Sequence, residues 1–267
     1  MKKLVLAATL LSLAVSTQAH RVWVSSQHTH GGEILKAELG YGEFPVFEPI
    51  AESRLHIFSQ PMRLFTAEGK QNLVQKGEFN YQYETEKPLK EGSYILAAEY
   101  QPTFWSKNAK GWQQQNIQQM PDATYCEQTR MYGKQVVNIG HESAATEVIS
   151  RPVDHLLEIV PLDNPANIQV SDRFKVKVLY KGEPLPNVVL TATFDGFDTS
   201  DRSKSHKVEA QAFSDITADD GTVEIIPLRQ GFWKASVEYK TDYPDQKICQ
   251  KLANYSTLTF QVGRTYH

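Results

Sequence analysis

The sequence is poor in cysteine, in long apolar runs and in excess charge of either sign. Its two cysteines, Cys126 and Cys249, are too few for a cysteine-rich scaffold. In an oxidising compartment such a pair reads as a disulfide rather than a metal site. The one apolar run, Leu4 to Val15, falls short of the roughly 20 residues that a spanning helix needs. No cysteine follows it that could carry a lipid. The formal net charge is −3 with no basic stripe, which argues against nucleic acid as a partner. No Gly-x-Ser-x-Gly, glycine-rich phosphate loop or His-Glu-x-x-His occurs, so the common hydrolase, nucleotide and zinc-protease signatures are missing.

The apolar run reads as export machinery. Lys2 and Lys3 precede it and Thr17-Gln18-Ala19 follows it as a small-residue cleavage pattern. Residues 1–19 are thus expected to be a signal peptide and the mature protein periplasmic, not membrane-spanning, with His20 as its first residue.

Past the signal, short β-rich segments recur between Gly, Pro and polar turns. Arg21 to Ser25 sets Val22 and Val24 on one face and Trp23 on the other. Arg54 to Phe58 alternates like a strand, and Gly92 to Tyr100 is the clearest core strand of the first half. Arg173 to Tyr180, Val188 to Phe194, Gly221 to Ile226, Phe232 to Tyr239 and Thr257 to Val262 follow. This spacing predicts an all-β protein of two β-sandwich domains, residues 20–160 and 161–267, the second immunoglobulin-like or transthyretin-like. Gln101 to Arg130 breaks the rhythm and is expected to be a long irregular insertion, with a short helix near Ala123 to Tyr132.

The chemistry is concentrated in histidine. Neutral imidazole serves nickel, cobalt, copper and zinc alike. A mature-terminal His20 would offer an α-amine and an imidazole on one residue. His28 and His30 lie two apart, on one side of an extended segment, and Gly31-Gly32 lets the backbone bend beside an ion. Together His20, His28 and His30 would supply four nitrogens, and they form the candidate metal site. His56, His141 and His206 are further candidates, while His155 and His267 carry no signal. Catalytic residues are not expected.

Ala19-His-Arg-Val-Trp-Val24 directly after a signal resembles the start of periplasmic components of nickel and cobalt energy-coupling-factor uptake systems, the NikK/NikM-type family. Lys181 to Phe194, Thr217 to Gly221, Pro227 to Trp233 and Tyr125 to Lys134 resemble its later segments. The resemblance implies a non-enzymatic carrier that binds Ni²⁺ (or Co²⁺, with Cu²⁺ open) and delivers it to membrane components of a transporter. Two alternatives remain at this point. One is a copper enzyme with an N-terminal histidine brace acting on polysaccharide, Trp105 and Trp112 stacking on sugar. The other is a non-metal adhesin or chaperone-like interaction module.

Overall fold

A computed structural model describes residues 20–58, 60–140, 145–198 and 209–263. Residues 1–19, His141, His206 and His267 lie outside the described residues. The strands, in chain order, are β1 (Arg21–Ser26), β2 (Lys36–Gly42), β3 (Arg63–Phe65), β4 (Lys70–Asn72), β5 (Val74–Gln75), β6 (Gln82–Glu84), β7 (Gly92–Asn108), β8 (Gly111–Gln113) and β9 (Tyr125–Ile139). The chain continues with β10 (Leu157–Pro161), β11 (Phe174–Tyr180), β12 (Glu183–Pro184), β13 (Val189–Phe194), β14 (Phe213–Ile216), β15 (Thr222–Ile225), β16 (Gly231–Asp242) and β17 (Lys251–Val262). The fold is an all-β sandwich. No helix among the described residues is long and apolar enough to cross a membrane.

Among the described residues three sheets build it, and the largest runs through both halves of the chain. Its order is β14-β13-β16-β17-β9-β7-β3-β4, with β8 on β7. The join is the parallel pairing of β17 with β9, from Lys251 opposite Glu127 to Thr259 opposite Gln135. The two sandwiches therefore share a central sheet.

Alternation along its strands separates two cores. Ile95 and Ala97 of β7, Tyr132 and Val136 of β9, and Leu258 and Phe260 of β17 face one side. There they meet β10, β11 and β15. Leu96, Ala98 and Tyr100, with Met131, Val137, Ala253 and Tyr255, face the other. That side is covered by the β1-β2-β6-β5 sheet.

Three expectations are revised. The boundary at residue 160 cuts β10 from its partner β11, to which Leu157 to Pro161 pair in register; β10 thus belongs with the second half. Gln101 to Arg130 is largely strand rather than an irregular insertion. β7 continues to Asn108 past an irregularity between Tyr100 and Thr103, and β9 already begins at Tyr125, where a helix was expected. These polar stretches are held extended because each gives the other its backbone partners. Finally, Glu52–Phe58 is a 3-10 helix, not a strand, with only Ile57 buried.

The structure joins Cys126 and Cys249 in a disulfide, with Cα atoms 5.1 Å apart. It links the start of β9 to the loop before β17, where the two halves meet.

Candidate metal centre

β1 organises the site because it is nailed to the central sheet. Val22, Trp23 and Val24 are all buried. Val22 and Val24 pack into the core beneath the β1-β2 sheet. Their carbonyls accept hydrogen bonds from the Thr257 and Thr259 hydroxyls of β17. Gly133 lets the strand approach: a Cβ there would lie 3.1 Å from Trp23 Cα. On the opposite face the Trp23 ring lies over Gly40, its cross-strand partner. Phe44 and Phe47 cover it at ring separations of 5.1 and 4.3 Å.

His20 precedes this strand and His28 and His30 follow it. β1 is six residues long; at about 3.3 Å per residue, His20 and the pair stand about 20 Å apart. The expected three-histidine site does not assemble. Among the described residues no group of three or more His, Cys, Asp or Glu side chains is poised around one ion.

His28 and His30 do come together. Both are exposed, with ring centroids 4.7 Å apart and planes at 89°. The turn that follows holds them. The Glu33 amide donates to the His30 carbonyl at 3.2 Å, and the Glu33 carboxylate accepts from the His30 amide at 2.9 Å. Gly32 adopts φ +87° and donates its N–H to the Leu89 carbonyl. A Cβ on Gly31 would meet the Glu91 side chain at 2.6 Å. The two glycines thus allow the bend and the close approach, respectively. Beside the pair is an open cavity of about 330 Å³ lined by Gln27, His28, Thr29, Glu33, Ile34 and Lys36. Glu33 and Lys36 escaped the reading of the sequence, although Glu33 stands only three residues past His30.

At the other end of β1, His20 is exposed and meets the Tyr41 ring edge-on at 5.4 Å. Tyr41 packs on Phe58 and Tyr100, and burial, then the Tyr100 hydroxyl, pushes its phenol pKa up. Arg21 lies 4.0 Å over the Tyr255 ring and pairs with Glu238 at 3.2 Å. Glu127 accepts from Tyr125, Tyr255 and Lys240. Burial, reinforced by Glu127, raises the Tyr125 pKa to about 12. His56 stays apart from both ends of β1 in its contacts, its Nε2 lying 2.9 Å from the Gln114 amide nitrogen. Trp105 cannot serve as a sugar platform: it is 2% exposed, donates to the Tyr100 hydroxyl and carries Arg54 4.3 Å from its ring centroid.

A second polar cluster lies on the opposite face of the central sheet. Lys134 Nζ meets Glu158 Oε1 at 2.6 Å, both side chains essentially inaccessible. His155 is buried beside them, stacked on Tyr132 at 4.9 Å, with Nε2 3.6 Å from Glu99, which also binds Arg63. Among the described residues neither ring nitrogen has a hydrogen-bond partner. Burial, then the nearby charges of Lys134 and Arg63, holds the imidazole pKa well below its ordinary value.

No curated protein matches the chain. The D0-D1 domain of Intimin is similar over 89% of this chain and 96% of its own, at 11% identity and a TM-score of 0.22. Three N-terminal domains of the bacteriophage RB49 Highly Immunogenic Outer Capsid protein (Hoc) are similar over 91% of this chain and 59% of theirs, at 9% identity and a TM-score of 0.19. Nothing further rests on likenesses of that size. The family model described as "Domain of unknown function (DUF4198)" matches residues 17–241, and the chain therefore belongs to the DUF4198 family.

Proposed function

We propose that this protein is an exported, periplasmic carrier of a divalent metal, Ni²⁺ or Co²⁺, which binds through His28 and His30 and is passed to a membrane uptake transporter. The separation of the two imidazoles carries the reading. A metal-bound imidazole nitrogen lies at about 2.1 Å, and the ring centre about 1 Å further on. Two imidazoles on adjacent positions of one ion, with their metal–nitrogen bonds at 90°, then have centroids about 4.5 Å apart, so rings 4.7 Å apart are spaced to share one ion. An exposed two-histidine site suits a carrier, because an ion that must be handed on cannot be enclosed. The sequence resemblance to nickel and cobalt uptake components supplies the metal and the transporter. His20, with its amine exposed by signal cleavage, would be a separate and independent ligand set.

Isothermal titration of the processed protein with Ni²⁺ tests this. His28→Ala and His30→Ala are each expected to weaken binding at least tenfold, and His155→Phe to leave it unchanged. Full affinity in the His28→Ala/His30→Ala double variant would remove the pair. If one extra residue before His20 then abolished that binding, the site would move to the amino terminus.

One observation favours a second reading, an interaction module without metal. Among the described residues β14 is the edge of the central sheet, and its Ile216 pairs with Val189, the two being 57% and 52% exposed. Exposed apolar edges are templates for another strand. Absence of any metal affinity, with self-association lost on Ile216→Lys, would favour it.

A further inference from the structure

Arg21, Arg63 and Arg173 each meet a glutamate carboxylate, whereas Arg54 meets an amide. Its Nη1 donates to Gln114 Oε1 at 2.7 Å, and among the described residues no carboxylate pairs with it. The guanidinium is nevertheless held. Its Cζ lies 4.3 Å over the Trp105 ring, which is 2% exposed. The Trp105 N–H donates to the Tyr100 hydroxyl at 2.8 Å, and Tyr100 is hydrogen-bonded in turn to Tyr41. Tyr100 is buried and packs on Tyr41 and Phe58, so the floor beneath Arg54 is continuous with the core. Gln114 is fixed from its other end as well, its Nε2 lying 2.9 Å from His56 Nε2. With the amide oxygen turned to Arg54, the amide nitrogen donates to His56, which leaves the proton of the neutral imidazole on Nδ1.

Arg54 and His56 stand on the 3-10 helix Glu52–Phe58, and Gln114 directly follows β8. The charge of Arg54 reaches the Tyr41 and Tyr100 phenols, whose pKa values it draws down against the upward pull of burial. A neutral partner at Gln114 thus orients the guanidinium without neutralising it. Stacking and hydrogen bonding have already cost the side chain its rotamer freedom in folding, so little remains to be lost on binding. Gln114 takes one of the N–H groups, and the rest of the planar fork suits two parallel bonds to a carboxylate. The geometry points to a carboxylate-binding site, in which Arg54, seated on Trp105 and steadied by Gln114 and His56, takes a small organic anion. The site does not depend on metal at His28 and His30. It gives Trp105 and His56 a joint role, the indole as floor and the imidazole as the stop that orients Gln114.

The test is a titration of the isotope-labelled, full processed chain with sodium succinate, sodium chloride keeping the ionic strength constant. The Trp105 indole N–H and Arg54 Nε–H resonances should shift together and saturate with succinate. Arg54→Gln should weaken that binding at least fivefold, and Arg54→Lys, which keeps the charge but not the fork, should lose most of it. Gln114→Glu sets a carboxylate of the protein against the same guanidinium. It should block succinate to the same extent without lowering the melting temperature. Full succinate affinity in Gln114→Glu or in Arg54→Lys would overturn the inference. So would shifts that never saturate, or sulfate binding as well as succinate, since either would mark a diffuse positive surface rather than a carboxylate site.

Discussion

The buried Lys134–Glu158 pair bears most directly on what holds the β10-β11 sheet to the central sheet. Lys134 is on β9 of the shared sheet and Glu158 on β10 of the sheet packed against it. Their side chains are 0% and 2% exposed and 2.6 Å apart. Glu158 also accepts the Val153 amide at 2.8 Å, tying down the segment that covers this face. Burial pulls the Lys134 pKa down, opposed by the attraction of Glu158. Glu158→Gln removes that attraction and leaves the buried amine with only an amide in its place. Breaking such a pair from one side costs about 3–5 kcal/mol. For a chain of this size each kcal/mol is worth about 2–4 °C, so the melting temperature should fall by roughly 6–20 °C.

The same reasoning gives a control. Lys134→Met with Glu158→Leu removes both desolvation penalties, and the double variant should lie within about 2 kcal/mol of the parent or above it. Guanidinium denaturation of the three proteins, with the disulfide intact, measures both quantities. A loss below about 1 kcal/mol for Glu158→Gln, or a double variant no better than the single, would refute the argument. The amine would then be solvated in a way the packing does not show.

Three other outcomes follow from named contacts. His155 is neutral in the folded protein and its folded-state pKa is depressed, whereas an unfolded histidine titrates near 6.5. Above pH 6.5 its contribution is intact. As pH falls from there toward the folded-state value, the unfolded chain takes up a proton that the native state refuses. Stability should decline by up to about 1.4 kcal/mol per pH unit from this group, and His155→Phe should flatten that part of the curve; an unchanged slope would exclude His155 as its source. Replacing Cys126 and Cys249 with alanine opens a link across 123 residues of sequence, for which chain entropy gives about 4–5 kcal/mol; an unchanged denaturation midpoint would show that the halves do not unfold together. Gly40→Ala would put a Cβ 2.1 Å from the Trp23 indole, an overpacking expected to cost about 1–3 kcal/mol, read as lost amide protection in β1 by hydrogen exchange.

Which segments are strands was legible because alternation is local. Val22 and Val24 do face the core and Trp23 does face away, as their parity requires. How strands combine was not legible. The parallel register that sets Lys251 beside Glu127 pairs residues more than 120 positions apart, and nothing in either segment announces the other. Arg54 to Phe58 alternates as well as any strand, yet without a neighbour to pair with it coils into a 3-10 helix. The histidines show the same limit. Parity says which side of an extended segment a residue takes, not how far along it lies, so His20 and the His28–His30 pair were grouped although β1 separates them. His155 gave no signal, because its burial and charged neighbours come from β3, β7 and β9.

If His28 and His30 bind metal as proposed, the placement of β1 makes the site both ordered and accessible. A lone exposed loop would hold two imidazoles near each other only part of the time, and the entropy of ordering them would be charged against binding. Here the strand before the loop is fixed through Val22, Val24 and Trp23. The turn after it is fixed by backbone bonds between Gly32 and Leu89 and between Leu89 and Glu33. Between them Gln27, His28, His30 and Gly31 are exposed, while Thr29, 4% exposed with its hydroxyl on the Gln27 carbonyl, anchors their midpoint. The rings of His28 and His30 thus project on either side of a buried threonine, so most of their ordering is done by folding. On the proposed reading, that arrangement would give affinity from preorganisation rather than from enclosure, leaving one side of an ion open for release.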